Sequence, residues 1–341
     1  MQHLPHQHHR LLPWPIESKD WPPFRQSQIY RAIFQDLIND WSQATTLPQL
    51  TRASLTQTWP LTWGAKLSDS RDKRTTKALI TLPDNAMIET VLMRYPDRNS
   101  VCVSSQVGCA VGCSFCATGR LGLKRNLTTW EIVNQVLLFS RRLKRIKLRV
   151  DSVVFMGMGE PFLNYESVLA AIRLLNDPIG LNLGARHMSV STSGIVPGIR
   201  RFMKERLEVN LAISLHAPND RLRTRLMKIN TSYPLKTLMS AATDYVKTTN
   251  RRLMFEYMLI AGVNDTDVCA NELAALMKHP LFFVNVIPHN PTGVYSPTQT
   301  SQVKRFMNLL RRQHVSVTQR TSFGQDITAA CGQLAGKSVQ K

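Results

Sequence analysis

Residues 103–119 read VSSQVGCAVGCSFCATG and carry Cys109, Cys113 and Cys116 in the spacing C-x3-C-x2-C. A structural zinc ion normally takes four protein ligands, and a ferredoxin-type cluster takes four cysteines. Three thiolates on one short loop instead suit a 4Fe-4S cluster whose fourth iron is left open to a small molecule. The motif predicts such a cluster, and a zinc loop that borrows a distant histidine is the alternative.

Strands and helices alternate from the motif to the end of the chain. We predict strands at 101–106, 151–156, 187–192, 208–214, 253–259, 283–287 and 315–320. Helices are predicted between them at 128–144, 165–176, 197–204, 234–248, 265–278 and 298–314. Strands separated by helices form right-handed βαβ units with a parallel sheet. The pattern predicts an α/β fold, a full or partial β/α barrel, with its chemistry at the carboxyl ends of the strands.

The first hundred residues have a different pattern. A helix is predicted at 27–39, and strands at 77–82 and 87–93 flank the turn at 83–85. We expect a small α+β accessory domain over residues 1–98 and the barrel domain, with a C-terminal cysteine segment, over residues 99–341. Four histidines in the first ten residues are interpreted as a polar terminus: His3, His6, His8 and His9. The same stretch lacks an apolar core, so we expect no signal peptide.

The net charge narrows the class of partner. The chain has 43 Lys and Arg against 23 Asp and Glu, a formal charge of +20, which favours a polyanion such as nucleic acid or an anionic membrane surface. A mean hydropathy of −0.17 argues against membrane spans, so we expect a cytoplasmic protein. In a reducing compartment clustered cysteines are ligands or catalysts more often than disulfides.

Polar residues follow several of the predicted strands. Glu160 lies in the glycine-rich stretch 155–161, Ser191 ends the third strand, residues 214–216 end the fourth, and Asn290 follows the sixth. Each of them lies where a β/α barrel collects its ligands. Taken singly, any of these polar groups could equally be a helix cap or a loop hydrogen bonder.

Nine stretches together resemble the RlmN/Cfr family of radical S-adenosylmethionine RNA methyltransferases. They are CVSSQVGC at 102–109, CSFCATG at 113–119, KRNLTTWEIVNQV at 124–136, FMGMGEP at 155–161, STSGIVP at 191–197, ISLHAPNDRLR at 213–223, FEYML at 255–259, GVND at 262–265 and AACGQLAG at 329–336. The resemblance runs from about residue 30 to residue 336.

The resemblance implies a role for each matching residue. The three motif cysteines would hold the cluster, Cys331 would become S-methylated, Cys102 would resolve it, and Glu89 would accept a proton. The residues that would contact S-adenosylmethionine are Gly159, Glu160, Ser191, Ser214, Leu215, His216 and Asn290. Read without the family, Glu89 is an ordinary carboxylate on a strand surface.

The resemblance also implies the reaction. One S-adenosylmethionine would methylate the Cys331 thiolate, and a second would supply the radical that activates this methyl group for addition to an adenine ring carbon. Two S-adenosylmethionine molecules are then used per turnover, and a Cys102–Cys331 disulfide frees the product. The implied partners are 23S rRNA, tRNA as a less secure second substrate, and an electron donor such as flavodoxin or ferredoxin, with no membrane partner.

Three groups of basic residues are predicted to contact RNA phosphates, with the accessory domain as an RNA-binding unit. They are residues 140–149, then Arg221, Arg223, Arg225 and Lys228, and finally Arg71, Lys73, Arg74 and Lys77. Any single group could instead be only a solvated face. The aromatic or arginine side chains that would hold an unstacked base cannot be identified from the sequence.

Three alternatives stay open. Residues 160–161 and 191–194 favour methylation of carbon 2, as in RlmN-type members, whereas Phe323-Gly-Gln-Asp326 leans toward the carbon-8, antibiotic-resistance chemistry of Cfr-type members. From other classes, a zinc-stabilised RNA-binding protein without activity and a radical enzyme that acts on a protein glycine are possible interpretations. We favour the carbon-2 methyltransferase.

Overall fold

A ten-stranded sheet organises the computed structural model, which describes Leu12 and residues 21–335. Its strands, in chain order and with the two strands of a smaller sheet included, are β1 Gly64–Asp69, β2 Thr75–Thr81, β3 Met87–Arg94, β4 Asn99–Cys102, β5 Gln106–Gly108, β6 Leu123–Asn126, β7 Ser152–Phe155, β8 Met188–Thr192, β9 Asn210–Ser214, β10 Leu253–Leu259, β11 Phe282–Pro288 and β12 Val317–Gln319. Strands β1 to β4 pair antiparallel, and β4, β7, β8, β9, β10, β11 and β12 follow in parallel order. The predicted α/β fold with a parallel barrel-type sheet is confirmed.

Within residues 21–335, seven helices connect the parallel strands in turn, and two more precede the sheet. They are α1 Pro23–Phe34, α2 Gln49–Thr58, α3 Thr129–Lys144, α4 Tyr165–Asn176, α5 Val196–Phe202, α6 Asp220–Leu226, α7 Leu235–Thr249, α8 Asp267–Leu276 and α9 Thr300–Arg312. The start of α3 shows why the sequence predicts this helix well. Thr128 Oγ1 accepts from the Glu131 N–H at 3.2 Å, and Glu131 Oε2 accepts from the Thr128 N–H at 2.8 Å, which completes a capping box.

The predicted strand at 101–106 is instead two strands in two sheets. Strand β4 ends at Cys102, and β5 pairs with β6 in the smaller sheet. Between them the Ser104 N–H donates to Gln135 Oε1 at 2.8 Å, and Ser104 Oγ donates to Glu89 O at 2.6 Å. These side-chain and backbone contacts replace ladder bonds and turn the chain away from the main sheet.

Residues 21–98 share the main sheet and the core with the parallel part. Strand β3 pairs antiparallel with β4, with Val91 opposite Cys102. Ring contacts run from Trp41 through Trp59 to Trp130 of α3, with centroids 5.6 and 5.3 Å apart. Helix α2 and strand β1, which the sequence pattern did not predict, also belong to this region.

The four histidines of the first ten residues lie outside the described part of the chain. Within the residues that the structure describes, no helix combines the length and apolar character needed to cross a membrane.

Candidate active site

The parallel strands enclose a cavity of about 530 Å³ that gathers most of the predicted site. Eleven of the thirteen predicted site residues line it: Cys102, Cys109, Cys113, Cys116, Gly159, Glu160, Ser191, Ser214, His216, Asn290 and Cys331. Leu215 and Glu89 are not among its lining residues. Residues from six strand ends and from the C-terminal segment therefore meet in one enclosed space.

The motif cysteines lie on a loop that β5 and β6 close. The Cys109 N–H donates to Gly122 O at 2.9 Å. Gly108 has a φ of +77°, and a Cβ there would lie 1.9 Å from Gly122 O, so this closure requires glycine. In the described part of the chain, no three His, Cys, Asp or Glu side chains form a ready-made site for a metal ion.

The donor set of this loop fits an iron–sulfur cluster. Burial raises the pKa of Cys109 to about 12 and raises the pKa of Cys113 well above its usual value. Repulsion from the neighbouring Cys116 thiolate adds to both shifts. Such thiols ionise only beside cations, which the irons of a cluster held by all three cysteines would supply. All three side chains line the same cavity, which leaves room for a small molecule beside the loop.

Glu160 links two strand ends beside the cysteine loop. Its Oε2 accepts from the Ser193 N–H at 2.6 Å, and its Oε1 accepts from the Phe162 N–H at 3.0 Å. Burial raises the pKa of this carboxyl. Gly159 has a φ of +101°, and a Cβ there would lie 2.6 Å from Gln106 Cβ, so a larger residue would displace the strand that precedes the loop. The fixed carboxylate has lone pairs left for an ammonium group in the cavity.

Ser191 and Ser214 are joined by a carboxylate that the sequence reasoning missed. Ser191 Oγ donates to Glu256 Oε2 at 2.6 Å, and Ser214 Oγ donates to the same atom at 3.2 Å. Glu256 Oε1 pairs with Arg320 Nη2 at 2.8 Å. Despite its burial, the pKa of Glu256 is lowered, because Arg320 and the serine hydroxyls stabilise its charged form.

Arg320, which the sequence pattern did not predict either, connects the hydrogen-bond network around Glu256 to Cys331. Its Nη1 lies 3.6 Å from Cys331 Sγ. A charged residue inside an otherwise apolar strand was the available signal for Glu256, since FEYML at 255–259 is buried throughout. Arg320 follows β12 without any local pattern that marks it.

His216 is buried and neutral at the cavity wall. Its Nδ1 accepts from the Met258 N–H at 3.0 Å, and burial lowers the pKa of His216 to about 4. Its φ of 57° places it in the left-handed region. The preceding Leu215 is buried in the core, and Asn290 Nδ2 donates to Cys331 O at 3.3 Å.

Cys102 and Cys331 meet in this cavity as free thiols. Cys102 ends β4 and is buried, whereas Cys331 is half-buried. Burial, followed by the nearby Cys331 thiol, raises the pKa of Cys102 to about 12. The structure thus brings together two cysteines that lie more than two hundred residues apart in the sequence.

Glu89 lies outside the cavity and holds the segment that carries Cys331. It is buried in β3, not on a surface, and its Oε1 pairs with Lys77 Nζ at 2.8 Å. Its Oε2 accepts from the Ala335 N–H at 2.6 Å. On the other side of Cys331, Lys77 Nζ donates to Thr328 Oγ1 at 3.0 Å.

Each predicted basic group contains one residue that cannot reach RNA phosphates. Arg141, Lys77 and Arg223 are buried. Arg223 donates to Ser193 O at 2.7 Å and to Asn230 Oδ1 at 2.9 Å, so its guanidinium is used inside the protein. The prediction of phosphate contacts is wrong for these three residues, because one face of each helix or strand packs into the core. The other basic members of the three groups are exposed.

The sequence and the fold match known proteins. Residues 103–270 match the family model of the radical SAM superfamily. A protein of Chloroflexus aurantiacus named probable dual-specificity RNA methyltransferase RlmN is 46% identical over 336 residues, covering 94% of this chain and 89% of that protein. A protein of Geobacillus kaustophilus with the same name is 46% identical over 330 residues, covering 94% and 90%. The crystal structure of a radical SAM methyltransferase from Sphaerobacter thermophilus is 45% identical, with a TM-score of 0.92, and the match covers 97% of this chain and 96% of that one.

Proposed function

The chain belongs to the RlmN family of radical S-adenosylmethionine RNA methyltransferases, and on this basis we propose that it methylates carbon 2 of an adenosine in 23S rRNA. The family uses a 4Fe-4S cluster and S-adenosylmethionine. One observation carries the proposal: Cys102 and Cys331 line the same cavity as the three motif cysteines. A methyltransferase that acts on a nucleophilic atom needs no such second pair of thiols.

Cys109, Cys113 and Cys116 would hold the cluster, which when bound supplies the electron for reductive cleavage of S-adenosylmethionine. The strand ends would hold the cofactor. Glu160 is placed to accept from its ammonium group, and the Ser191–Glu256–Ser214 network offers fixed oxygens to its hydroxyl groups.

Cys331 is the methyl carrier in this proposal. A thiolate is a good nucleophile, and Arg320 lies 3.6 Å from Cys331 Sγ, where its positive charge favours that form. The methyl group of a first S-adenosylmethionine would pass to Cys331, and a second molecule would be consumed to activate it. Because its pKa is raised to about 12, Cys102 is a protonated thiol at neutral pH. It must lose this proton to a base before it can accept the ring proton itself.

Release of the product would need both cysteines and a base. We propose that Cys102 or Glu89 accepts the ring proton. Cys102 Sγ would then bond to Cys331 Sγ while the bond between Cys331 Sγ and the RNA-bound carbon breaks, and the electron pair of that bond would stay on the RNA, which takes up a proton to complete the methyl group. Glu89 lies outside the cavity in this arrangement, so it would act only after Ala335 and Lys77 have moved. A reducing protein such as flavodoxin or ferredoxin would supply the electron for the reductive cleavage of S-adenosylmethionine.

The RNA would lie on the exposed basic residues. Arg221, Arg225 and Lys228 are exposed, as are Arg142 and Lys144 at the end of α3. Residues 1–98 are proposed as the accessory RNA-binding domain and residues 99–341 as the barrel domain. Such contacts give an affinity that falls steeply with salt. A ring carbon can be reached only when the base leaves its stack.

Nucleoside mass spectrometry tests the proposal. The protein is reconstituted anaerobically with iron and sulfide and incubated with a reductant, S-adenosylmethionine and either a 23S rRNA fragment or tRNA. We expect 2-methyladenosine from the rRNA, and the tRNA arm decides the second substrate. Finding only 8-methyladenosine would overturn carbon 2, and finding zinc without iron would overturn the enzyme.

Two variants test the role of the cysteine pair. Cys331→Ala should give no methylated nucleoside, whereas full activity of this variant would favour a radical enzyme of another class. Cys102→Ala should leave RNA covalently attached to the protein, which denaturing gels detect, because nothing resolves the adduct. Cys269→Ala is the matched control, since Cys269 is buried in α8 away from the cavity lining.

A further inference from the structure

The cavity opens at the end opposite to the cysteine loop. Of its described lining residues, the exposed ones are Arg98, Arg186, His187 and Thr321. Arg98 immediately precedes β4, and Arg186 and His187 immediately precede β8, so these three lie where parallel strands begin. The mouth of the cavity is therefore bordered by the amino ends of β4 and β8, together with Thr321, which follows β12.

The cysteine end is covered by the chain around Cys331. The Ala117 N–H donates to Gly332 O at 2.8 Å, and Thr118 Oγ1 donates to Leu334 O at 2.6 Å. These bonds tie the segment after Cys331 to the motif loop. Among the described residues, the exposed lining side chains are at the mouth and not at this end, so we take the mouth as the entry for a large substrate.

Aromatic rings and guanidinium groups alternate at the mouth. The Arg98 guanidinium carbon lies 4.0 Å from the centroid of the Tyr95 ring. On another side of Tyr95 the ring of Phe323 makes an edge contact, with centroids 4.7 Å apart and planes at 61°. Arg74 in turn lies 5.6 Å from the centre of the Phe323 ring. Tyr95, Arg98 and Phe323 all line the cavity.

We propose that Tyr95 and Arg98 form a stacking site for one unpaired RNA base at the mouth of the cavity. This inference rests on the proposed function and names the side chains that receive the base. Proteins hold unstacked bases on aromatic rings and on the planes of arginine guanidinium groups. Phe323 is buried and braces the Tyr95 ring from its edge, which keeps the platform in place before RNA arrives.

The planar group of Arg98 matters more here than its charge. Arg98 Nη1 lies 3.2 Å from Asp97 Oδ2, so a neighbouring carboxylate offsets the charge. The guanidinium carbon nevertheless lies over the Tyr95 ring, 4.0 Å from its centroid, so the ring already holds one planar group on this face. A base can stack on the outer face of the guanidinium, or it can replace the guanidinium on the ring.

Substitutions that remove either the aromatic ring or the guanidinium plane distinguish a stacking contribution to RNA binding from a charge contribution. Tyr95→Phe keeps the ring and Tyr95→Leu removes it, while Arg98→Lys keeps the charge and removes the plane. Arg305→Lys is the matched control, because Arg305 is also an exposed arginine paired with an aspartate, Asp267, and it neither lines the cavity nor belongs to the three basic groups.

The assay uses a 23S rRNA fragment with 2-aminopurine in place of the target adenosine, titrated with the reconstituted protein. Stacking quenches the 2-aminopurine fluorescence, and the titration gives Kd. We expect Tyr95→Leu to weaken binding about 5- to 150-fold, the range set by loss of one base–aromatic stack. Arg98→Lys should also weaken binding and quenching, whereas Tyr95→Phe and Arg305→Lys should match the unchanged protein. With the natural fragment, KM should rise in the same order.

The inference is overturned if Tyr95→Leu binds like the unchanged protein, or if Arg98→Lys and Arg305→Lys have equal effects. Should Tyr95→Leu fail to fold, the comparison of Arg98→Lys with Arg305→Lys decides, because both side chains are exposed. If the unchanged protein methylates no RNA, the proposed function has failed. If it methylates RNA and the variants keep its KM, only the stacking site has failed.

Discussion

Replacing Lys77 by methionine tests what holds Cys331 in the barrel. Lys77 Nζ contacts Glu89 Oε1 at 2.8 Å and Thr328 Oγ1 at 3.0 Å, while Glu89 Oε2 accepts from the Ala335 N–H at 2.6 Å. The buried pair thus holds the chain three residues before Cys331 and four residues after it. Methionine is similar in length to lysine, so the substitution removes the charge and its hydrogen bonds with little change in volume.

The expected loss in the free energy of unfolding follows from the burial of the Lys77–Glu89 pair. The side chains of Lys77 and Glu89 are only 5% and 2% exposed. Removing one member of a buried ion pair leaves an uncompensated charge, which costs about 3–5 kcal/mol. We expect Lys77→Met and Glu89→Gln each to lower the free energy of unfolding by about this amount. The double variant buries no unpaired charge, and its amide oxygen can still accept from Ala335, so we expect it to recover most of the loss.

Urea denaturation followed by circular dichroism measures these free energies. A second measurement, the rate at which iodoacetamide alkylates Cys331, reports on the segment itself. Since about 1.4 kcal/mol corresponds to a factor of ten, a loss confined to this segment would speed alkylation about 100-fold or more. Lys66→Met, on the exposed strand β1, is the control and should change neither value. Strictly additive losses in the double variant would refute the coupling, and so would a loss below about 1 kcal/mol for Lys77→Met.

Three further predictions concern the site. Cys109→Ala should abolish the cluster, so iron and sulfide analysis after anaerobic reconstitution should fall to background, whereas Cys269→Ala keeps both. His216→Asn tests the buried histidine: because its pKa is about 4 when folded and about 6.5 when unfolded, stability should fall as the pH drops from 6.5 to 4. Over this pH window, the free energy of unfolding measured by urea denaturation should fall by up to about 3 kcal/mol more for the unchanged protein than for the variant. Asparagine is chosen because it tolerates the positive φ at this position. Arg320→Met leaves Glu256 buried without its partner, so RNA methylation measured with labelled S-adenosylmethionine should drop about 100-fold or more, with partial recovery in Arg320→Lys.

Local patterns explain why the fold could be predicted. Helix α4 and strand β10 have the predicted bounds, because each is a single periodic or β-rich run with clear ends. Helix α3 begins within one residue of its predicted start, since Thr128 and Glu131 form a capping box. Strand β1 could not be found, because almost all of its residues are exposed and no alternation marks it.

The site was predictable where its residues form a motif and not where they meet across the fold. The three loop cysteines have an informative spacing, and the structure brings Cys102 and Cys331 to them. Glu256 lies in β10 and its partner Arg320 follows β12, and no short-range spacing connects them. The Tyr95–Arg98 platform is also invisible in the sequence, because its meaning comes from where the cavity opens.

The short strand β4 fixes the distance between Arg98 at the mouth of the cavity and Cys102 inside it. The turn before it is closed by a hydrogen bond from the Tyr95 N–H to Arg98 O at 2.8 Å, and its last residue is Cys102. Cys102 lies four residues after Arg98, and at about 3.3 Å per residue these four steps span roughly 13 Å. Pairing with β3 on one side and β7 on the other prevents this distance from stretching. If RNA enters at Arg98 as proposed, the target nucleotide must extend over this distance from its helix before its base reaches Cys102.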